Sequence, residues 1–552
     1  MMKTSPVTSI LGWWSSNGAS PVTDEAALQE VLLQLTHPVY ILQQKDDYTA
    51  ASSGSVQLGG EQTTQSPFPV VAYAPPISLA QLGDTGFLND YGLEYPYIAG
   101  AMAHGITSVE MVGEMGQNGM LGFFGAAGLA PNTVDTAITR LSEILGSRPY
   151  GCNLIHSPNE PALETSIVEL YLRRGVRLVS ASAYLGLTLP VVRYRVHGIH
   201  RDKAGKIVTP NHVFAKISRV EVASQFFAPP PERFLRELVG SGDITEEQAQ
   251  LASQIPMAQD ITAEADSGGH TDNRPAMALI PTIMALRNQM QEKYHYAQQL
   301  RVGAAGGIAT PASAAAAFSM GVAYLMTGSV NQACIESGSS NIVRQMLAET
   351  QQADVVMAPA ADMFEMGVKV QVLKRGTMFA MRGAKLYDLY RSYGNLEEIP
   401  LSERNALEEK FFRKPLDVVW EQTRQFFLQR DATQIERAER DPKYKMALVF
   451  RSYLGQASHW ANRGEPSRKV DYQVWCGPAM GAFNEWVRGT FLERPENRRV
   501  VPVALNILYG AAVIHRLNTL RAQGVQFPTK FWNILPLPEG ELKQKIFSSY
   551  DK

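Results

Sequence analysis

The 552-residue sequence predicts an α/β fold: a TIM (β/α)8 barrel with an N-terminal extension and a mostly helical C-terminal addition. Two observations predict it. From near Tyr97, short apolar segments recur, each ending in small or polar residues and most followed by a helix-like stretch such as PNEPALETSIVELYLRRG. Strands alternating with helices mean parallel strands joined by crossover helices. Eight such units fit in about 250 residues, the size of a (β/α)8 barrel. An open doubly wound sheet is the alternative arrangement of the same pattern.

The elements follow in order. Residues 1–92 form the extension, with a helix from Asp24 to Leu35 and a strand-like PVYIL from Pro38 to Leu42. The polar run KDDYTAASSGSVQLGGEQTTQSP reads as a mobile surface loop. Residues 93–348 form the barrel. Its strands are YIAGAMA, GMLGFFGAAG, YGCNLIH, RLVSASA, FAKIS, DITAEADSGGH, LRVGAAGG and AYLMTGS, with a hairpin insertion, YRVHGIHRDKAGKIVTPNHV, before FAKIS. Residues 349–552 are expected to be helical, because MFEMGVKVQVLKRGTMFAMRGAKLYDLYRSYG and LSERNALEEKFFRKPLDVVWEQTRQFFLQ carry helical capping and charge patterns. Met357, Met363, Met366, Met378 and Met381 either line a flexible apolar groove or fill an ordinary core.

Composition narrows the function. A net charge of −2 gives no electrostatic case for nucleic acid or anionic lipid as partner. Cys152, Cys334 and Cys476 lack CxxC spacing and read as buried small hydrophobes. The ten histidines show no HExxH or comparable spacing, so no metal is assigned. The N-terminus lacks a secretion signal, and no run of about twenty uninterrupted apolar residues occurs. A cytoplasmic protein, with no membrane partner, is expected.

Two constellations carry the chemistry. Residues 303–329, GAAGGIATPASAAAAFSMGVAYLMTGS, hold a strand, the turn Gly306-Gly307, a helix with Thr310 as candidate N-cap and Pro311 at its first position, a second strand and the turn Gly328-Ser329. In a barrel, phosphate commonly sits between the loops after the seventh and eighth strands. Glycines let backbone N–H groups approach phosphate oxygens, and a helix start adds about 0.3–1 kcal/mol per favourable charge contact. The alternative is that these glycines only close tight turns. No GxxxxGK[ST] loop occurs, no G-x-G-x-x-G opens an N-terminal βαβ unit, and VGEMGQNG ends a helix. A cofactor with one terminal phosphate, such as flavin mononucleotide (FMN), therefore fits better than a dinucleotide. The second constellation is EADSGGHTDNRP, Glu264 to Pro275, after the sixth strand. It puts His270 at the active-site mouth, where an imidazole suits proton transfer near neutrality.

DSGGH followed by AAGGI, an alanine-rich helix and GVAYLMTGS resembles the nitronate monooxygenase (2-nitropropane dioxygenase-like) flavoenzymes, a pattern shared by bacterial flavin-dependent enoyl-acyl-carrier-protein reductases. AKISRVEVASQFF, ITAEADSGGHTDNRP, MTGSVNQACIESGSS and KVQVLKRGTMFAMRGAKLYDLY are more similar to one long branch, the trans-acting enoyl reductases of polyunsaturated-fatty-acid and polyketide synthases. The resemblance runs from about Tyr95 onward, and more weakly over the GWW start.

It implies a site. Ala101, Met102 and Ala103 lie against the isoalloxazine, Asn153 contacts the flavin, and Lys216 faces the ring's electron-rich edge. Gly268 and Gly269 border the cofactor. Gly306, Gly307, Thr327, Gly328 and Ser329 hold its phosphate, and His270 is the catalytic histidine. Asp266-Ser267 stands where the smaller enzymes have Glu-Ala, and Ser329 where they have Thr. The resemblance further implies NADPH as transient hydride donor, an enoyl thioester substrate, acyl-carrier-protein domains of a synthase as partners, and a homodimer as an assembly to test. Its rivals are a nitronate-oxidising flavoenzyme, with His270 as base, and a non-catalytic synthase scaffold subunit.

Overall fold

The computed structural model describes residues 3–4, 9–18, 20–44, 47–62, 64, 68–158 and 160–547. Eight parallel strands close into a barrel: Tyr97–Ala99, Leu121–Phe124, Gly151–Ile155, Leu178–Ser182, His212–Ile217, Asp260–Glu264, Arg301–Ala305 and Leu325–Thr327. Each pairs with the next, and the last returns to the first through Leu325↔Tyr97 and Thr327↔Ala99. All eight predicted segments are barrel strands, and the predicted insertion holds a hairpin of His200–Arg201 with Ile207–Val208.

One barrel end is plugged. Helix Thr85–Tyr91, started by Asp84, whose carboxylate accepts from the Phe87 N–H at 2.7 Å, inserts Phe87 and Tyr91 against Phe214 and Tyr324. Beside it the Tyr91 hydroxyl donates to Asp260, whose carboxylate also pairs with Arg301 at 2.7 Å. This helix belongs to the barrel, although sequence assigned it to the extension. Open space, and with it the site, lies at the strands' C-terminal ends.

Two expectations are corrected. The polar N-terminal run is not one loop: Asp47–Ala51 and Ser55–Leu58 are strands of a five-stranded antiparallel sheet with Gly12–Ser15, Val39–Gln44 and Phe68–Ala74. Lys45, Asp46, Thr63, Gln65, Ser66 and Pro67 lie outside the described residues. The C-terminal region is mostly helical, but KVQVL is a strand. Lys369–Leu373 pairs antiparallel with Val355–Pro359 and with Gly269–His270, and as the central strand of that three-stranded sheet it is buried from Val370 to Leu373.

The alanine-rich stretch has a packing cause. Helix Pro311–Ser319 buries Ala314, Ala315 and Ala317 and lies against helix Val500–Ala522, where a Cβ on Gly510 would come within 2.5 Å of Pro311 Cγ. Small residues on both sides allow that approach. Helix Val500–Ala522 is long and apolar enough to cross a membrane, yet 78% of its apolar window is buried inside the protein. Its Arg516 ties the extension down through the carbonyls of Leu32, Gln34, Leu35 and His37.

Candidate active site

The C-terminal mouth of the barrel opens into two adjoining cavities. The larger, about 940 Å3, is lined by Ala101, Met102, Ala103, Asn153, Lys216, Gly268, Gly269 and His270, and its size falls within the ligand-pocket range of about 300–1,000 Å3. The smaller, about 90 Å3, is lined by Gly306, Gly307, Thr327, Gly328 and Ser329. Ala101, Met102, Lys216, Glu264 and Gly268 border both. Every residue predicted for the site is therefore brought to one face.

His270 reaches the cavity from a loop fixed on two sides. Gly269–His270 pairs with Val370 and Gln371 of the C-terminal sheet. The Gln371 amide donates to Asp266 at 2.7 Å and to the Ser267 carbonyl at 2.8 Å. Asp272 accepts from Ser218 at 2.5 Å and Arg219 at 2.8 Å, and Arg219's hydrogen bond helps hold its carboxyl down at about 2. The Asp266 departure thus has a local role, anchoring the loop to the C-terminal region.

The histidine has a partner that sequence did not indicate. His270 Nε2 lies 3.2 Å from Asp362 Oδ1. Burial works against the imidazolium, but the charge and hydrogen bond of Asp362 outweigh it, and the His270 pKa is raised. Nearby, Lys216 Nζ sits 2.7 Å from Glu264 Oε1, which also accepts from Ser267 Oγ at 2.8 Å. Lys216 is thus a cation held in place by a carboxylate. Asn153 is buried and donates to the Ser180 carbonyl at 3.1 Å.

The smaller cavity suits an anion. Gly306 has φ +80°, and a Cβ there would stand 2.7 Å from the Ala265 carbonyl carbon, so only glycine lets this turn approach the sixth strand. Among the described residues, no turn or loop backbone hydrogen bond engages the amides of Gly307 or Gly328, while the parallel register of the last two strands turns the Gly306 amide toward Met326. Such unengaged donors around a small cavity make a cradle for phosphate oxygens. The Thr327 hydroxyl is 2.6 Å from Tyr97 OH, leaving Ser329 as the predicted hydroxyl nearest to service here; Ser329 Oγ accepts from the Gly477 N–H at 3.0 Å and retains its own proton to donate. The predicted helix start at Thr310 does not take part. Its hydroxyl caps Ser313 N, and neither Thr310 nor Pro311 lines the cavity.

Sequence reasoning placed Glu264 in the second constellation without a role, and missed Asp362, Gln332 and the segment Trp475–Ala479, which closes the smaller cavity. WCGPAMGAF carried a signal, a Gly-Pro step before a helix. Gly268 is bare because of this segment: a Cβ there would meet Cys476 N at 2.9 Å, and one on Gly477 would meet Gly268 N at 2.9 Å. Of the five singled-out methionines, only Met363 lines the larger cavity; Met366, Met378 and Met381 are exposed. The outer wall comes from helices Leu416–Arg430 and Pro442–Arg463 through Phe426, Phe427, Arg430, Arg451 and His459. Arg430 reaches back to Glu160 on the barrel at 2.7 Å.

Comparison with known proteins gives concordant matches. Residues 87–387 match the family model for nitronate monooxygenase, and residues 393–472 that for the inserted helical domain of [acyl-carrier-protein] S-malonyltransferase. The chain is 46% identical over 501 residues to a polyunsaturated fatty acid synthase subunit of Thraustochytrium sp., covering 90% of this chain and 33% of that protein. It is 44% identical over 439 residues to the polyketide biosynthesis protein PksE of Bacillus subtilis, covering 79% of this chain and 57% of the relative. The chain thus spans about a third of the first relative and over half of the second. The crystal structure of the enoyl reductase domain of MlnA, from the macrolactin biosynthesis cluster of Bacillus amyloliquefaciens, superposes with a TM-score of 0.76 at 41% identity, covering 80% of this chain and 100% of that domain.

Proposed function

Because this chain belongs to the nitronate monooxygenase family, we propose that it is an FMN-dependent enoyl reductase acting in trans on enoyl-acyl-carrier-protein thioesters during polyunsaturated fatty acid or polyketide synthesis. The observation that carries the reading is His270 paired with Asp362 in a chain-sized cavity that adjoins an anion cradle. The likeness to the MlnA enoyl reductase domain supports the reaction. The helical segment 393–472, similar to one inserted in a carrier-protein transferase, supports the carrier-bound substrate.

The residues fit FMN. The amides of Gly307 and Gly328, with the Ser329 hydroxyl and the bare Gly306 turn beside them, would hold the phosphate. Ala101, Met102 and Ala103 offer a surface free of bulky polar groups, while Lys216 offers a donor to ring heteroatoms and Asn153, whose amide hydrogens go to Ser180 and Ser182, offers its amide oxygen as an acceptor. When bound, FMN supplies hydride transfer from NADPH to the β-carbon of the enoyl thioester.

The chain's own part is orientation and proton supply. Asp362 takes one N–H of His270 at Nε2, so the proton available for delivery is on Nδ1. Delivery to the α-carbon completes saturation, leaves a neutral imidazole, and is reset from solvent. Phe426, Phe427 and Met363 supply apolar wall for the acyl chain. Glu264 fixes the Lys216 ammonium near the ring edge.

The test is anaerobic. Purified yellow protein mixed with NADPH should bleach, and crotonyl thioester should restore the colour. Failure to bleach, with turnover of a nitronate in air, would establish the oxidase instead. A colourless protein that cannot be loaded with FMN would leave a scaffold role.

A further inference from the structure

Outside the predicted set, one residue lining the larger cavity carries a buried polar atom with no hydrogen-bond partner among the described residues. His104, on the loop after the first barrel strand, lines the cavity. Its backbone sits at φ +57°, a region that non-glycine residues rarely enter. Its ring is clamped from three elements. It stacks on Trp475 at 5.3 Å and 16°, meets His459 edge-on at 4.8 Å, and rests where a Cβ on Gly128 would come within 2.4 Å of its Cε1. A strained backbone, an obligatory glycine and two aromatic neighbours hold one imidazole in place. Yet Nδ1 is buried with no hydrogen-bond partner among the described residues, and no described hydrogen bond involves Nε2.

Burial first, then the charges of His459 and Arg430, push its pKa down to about 4. The ring is neutral at physiological pH and carries one N–H. A sealed N–H without an acceptor costs more than a sealed lone pair, so the proton belongs on Nε2, the nitrogen left to address the cavity. An enoyl thioester has one strong acceptor conjugated to its reacting carbons, the carbonyl oxygen. Hydride arriving at the β-carbon puts negative charge on that oxygen, where a fixed donor strengthens its hold as the reaction proceeds.

We propose that His104 is a substrate-binding residue whose Nε2–H donates to the thioester carbonyl oxygen of the acyl substrate. The role rests on the reductase reading above. It gives two of the cavity's histidines separate tasks: His270 gives a proton, and His104 holds an oxygen.

The FMN-loaded protein tests this by calorimetric binding of butyryl-pantetheine thioester, which has the carbonyl, and S-butyl-pantetheine thioether, which lacks it. His104→Gly removes the donor and suits the positive φ. His104→Asn keeps a donor and tolerates the same φ. Any hole left by the ring weakens both ligands alike and cancels in their ratio. Wild type should prefer the thioester about tenfold, equivalent to about 1.4 kcal/mol; His104→Gly should bring the ratio near one, and His104→Asn should recover part of it. An undiminished preference in His104→Gly, or equal binding of both ligands by wild type, overturns the role of His104 alone. Wild type binding neither ligand overturns the reductase reading, and this role with it.

Discussion

Replacing Gly306 by alanine should weaken FMN binding through geometry alone. The added Cβ would stand 2.7 Å from the Ala265 carbonyl carbon and 2.9 Å from the Asp266 carbonyl oxygen, both backbone atoms that cannot rotate away. The turn must retreat from the sixth strand, carrying the amides that face the smaller cavity. Each charge-assisted hydrogen bond lost to phosphate is worth about 1.5–3 kcal/mol, so one displaced amide raises the FMN Kd about ten- to hundredfold. The positive φ adds about 1–2 kcal/mol of strain to the fold, which needs its own control. Gly205, in the hairpin, has the same φ of +80°, and a Cβ added there would meet nothing within 4 Å. Gly205→Ala should lower stability similarly and leave FMN affinity unchanged. The assay is titration of apoprotein with FMN, followed by flavin fluorescence quenching, beside thermal melts of all three proteins. A folded Gly306→Ala protein that binds FMN with wild-type affinity would refute the cradle, as would an equal loss of affinity in Gly205→Ala.

Other outcomes follow from the same contacts. The raised pKa of His270 means that its pairing with Asp362 stabilises the fold fully below the unfolded histidine value of about 6.5 and less as pH climbs through the folded value. Asp362→Asn should therefore lower the melting temperature more at pH 6 than at pH 9, and should move the falling alkaline limb of kcat to lower pH in a pH–rate profile. Arg430→Ala breaks the contact with Glu160 that ties the helical wall to the barrel. It should cost about 1 kcal/mol and speed limited proteolysis within residues 393–472. Gly510→Ala pushes a Cβ to within 2.5 Å of Pro311; an overpacking cost of about 1–3 kcal/mol should appear in thermal melts, with the FMN Kd untouched.

What sequence could reveal tracks how local each determinant is. The barrel strands announce themselves within a few residues each, and the glycine turns and His270 sit at strand ends, where the barrel's geometry alone puts them at one mouth. The partners of those residues are distant. His270 and Asp362 are 92 positions apart, and Gly477 meets Ser329 across 148; no periodicity encodes such pairings. KVQVL misled for a related reason. Five residues between helix-like neighbours do not specify a period, and its strand state depends on pairing with the loop that carries His270. The polar extension misled through composition, because its strands Asp47–Ala51 and Ser55–Leu58, DYTAA and SVQL, are short and carry Asp, Thr, Ser and Gln between polar, glycine-containing turns. The alanine-rich helix was visible, but its purpose, close packing on a helix two hundred residues later, was not.

The charge state of His270 decides between the two chemistries open to this family, and the barrel alone does not set it. Burial drives an imidazole toward neutrality, and at His104 it prevails: no carboxylate bonds the ring, the charge of Asp362 does not offset burial, and the pKa falls to about 4. A neutral His270 would be suited to take a proton, as oxidation of a nitronate precursor requires. Asp362, placed beyond the eighth strand at the end of Val355–Pro359, opposes burial and leaves His270 raised instead. The strand that follows, Lys369–Leu373, holds the His270 loop against that same segment. One short antiparallel sheet thus both positions the histidine and supplies the carboxylate that favours its protonated form. A proton donor is what saturation of a conjugated double bond needs at the α-carbon, and this places enoyl reduction ahead of nitronate oxidation for this chain.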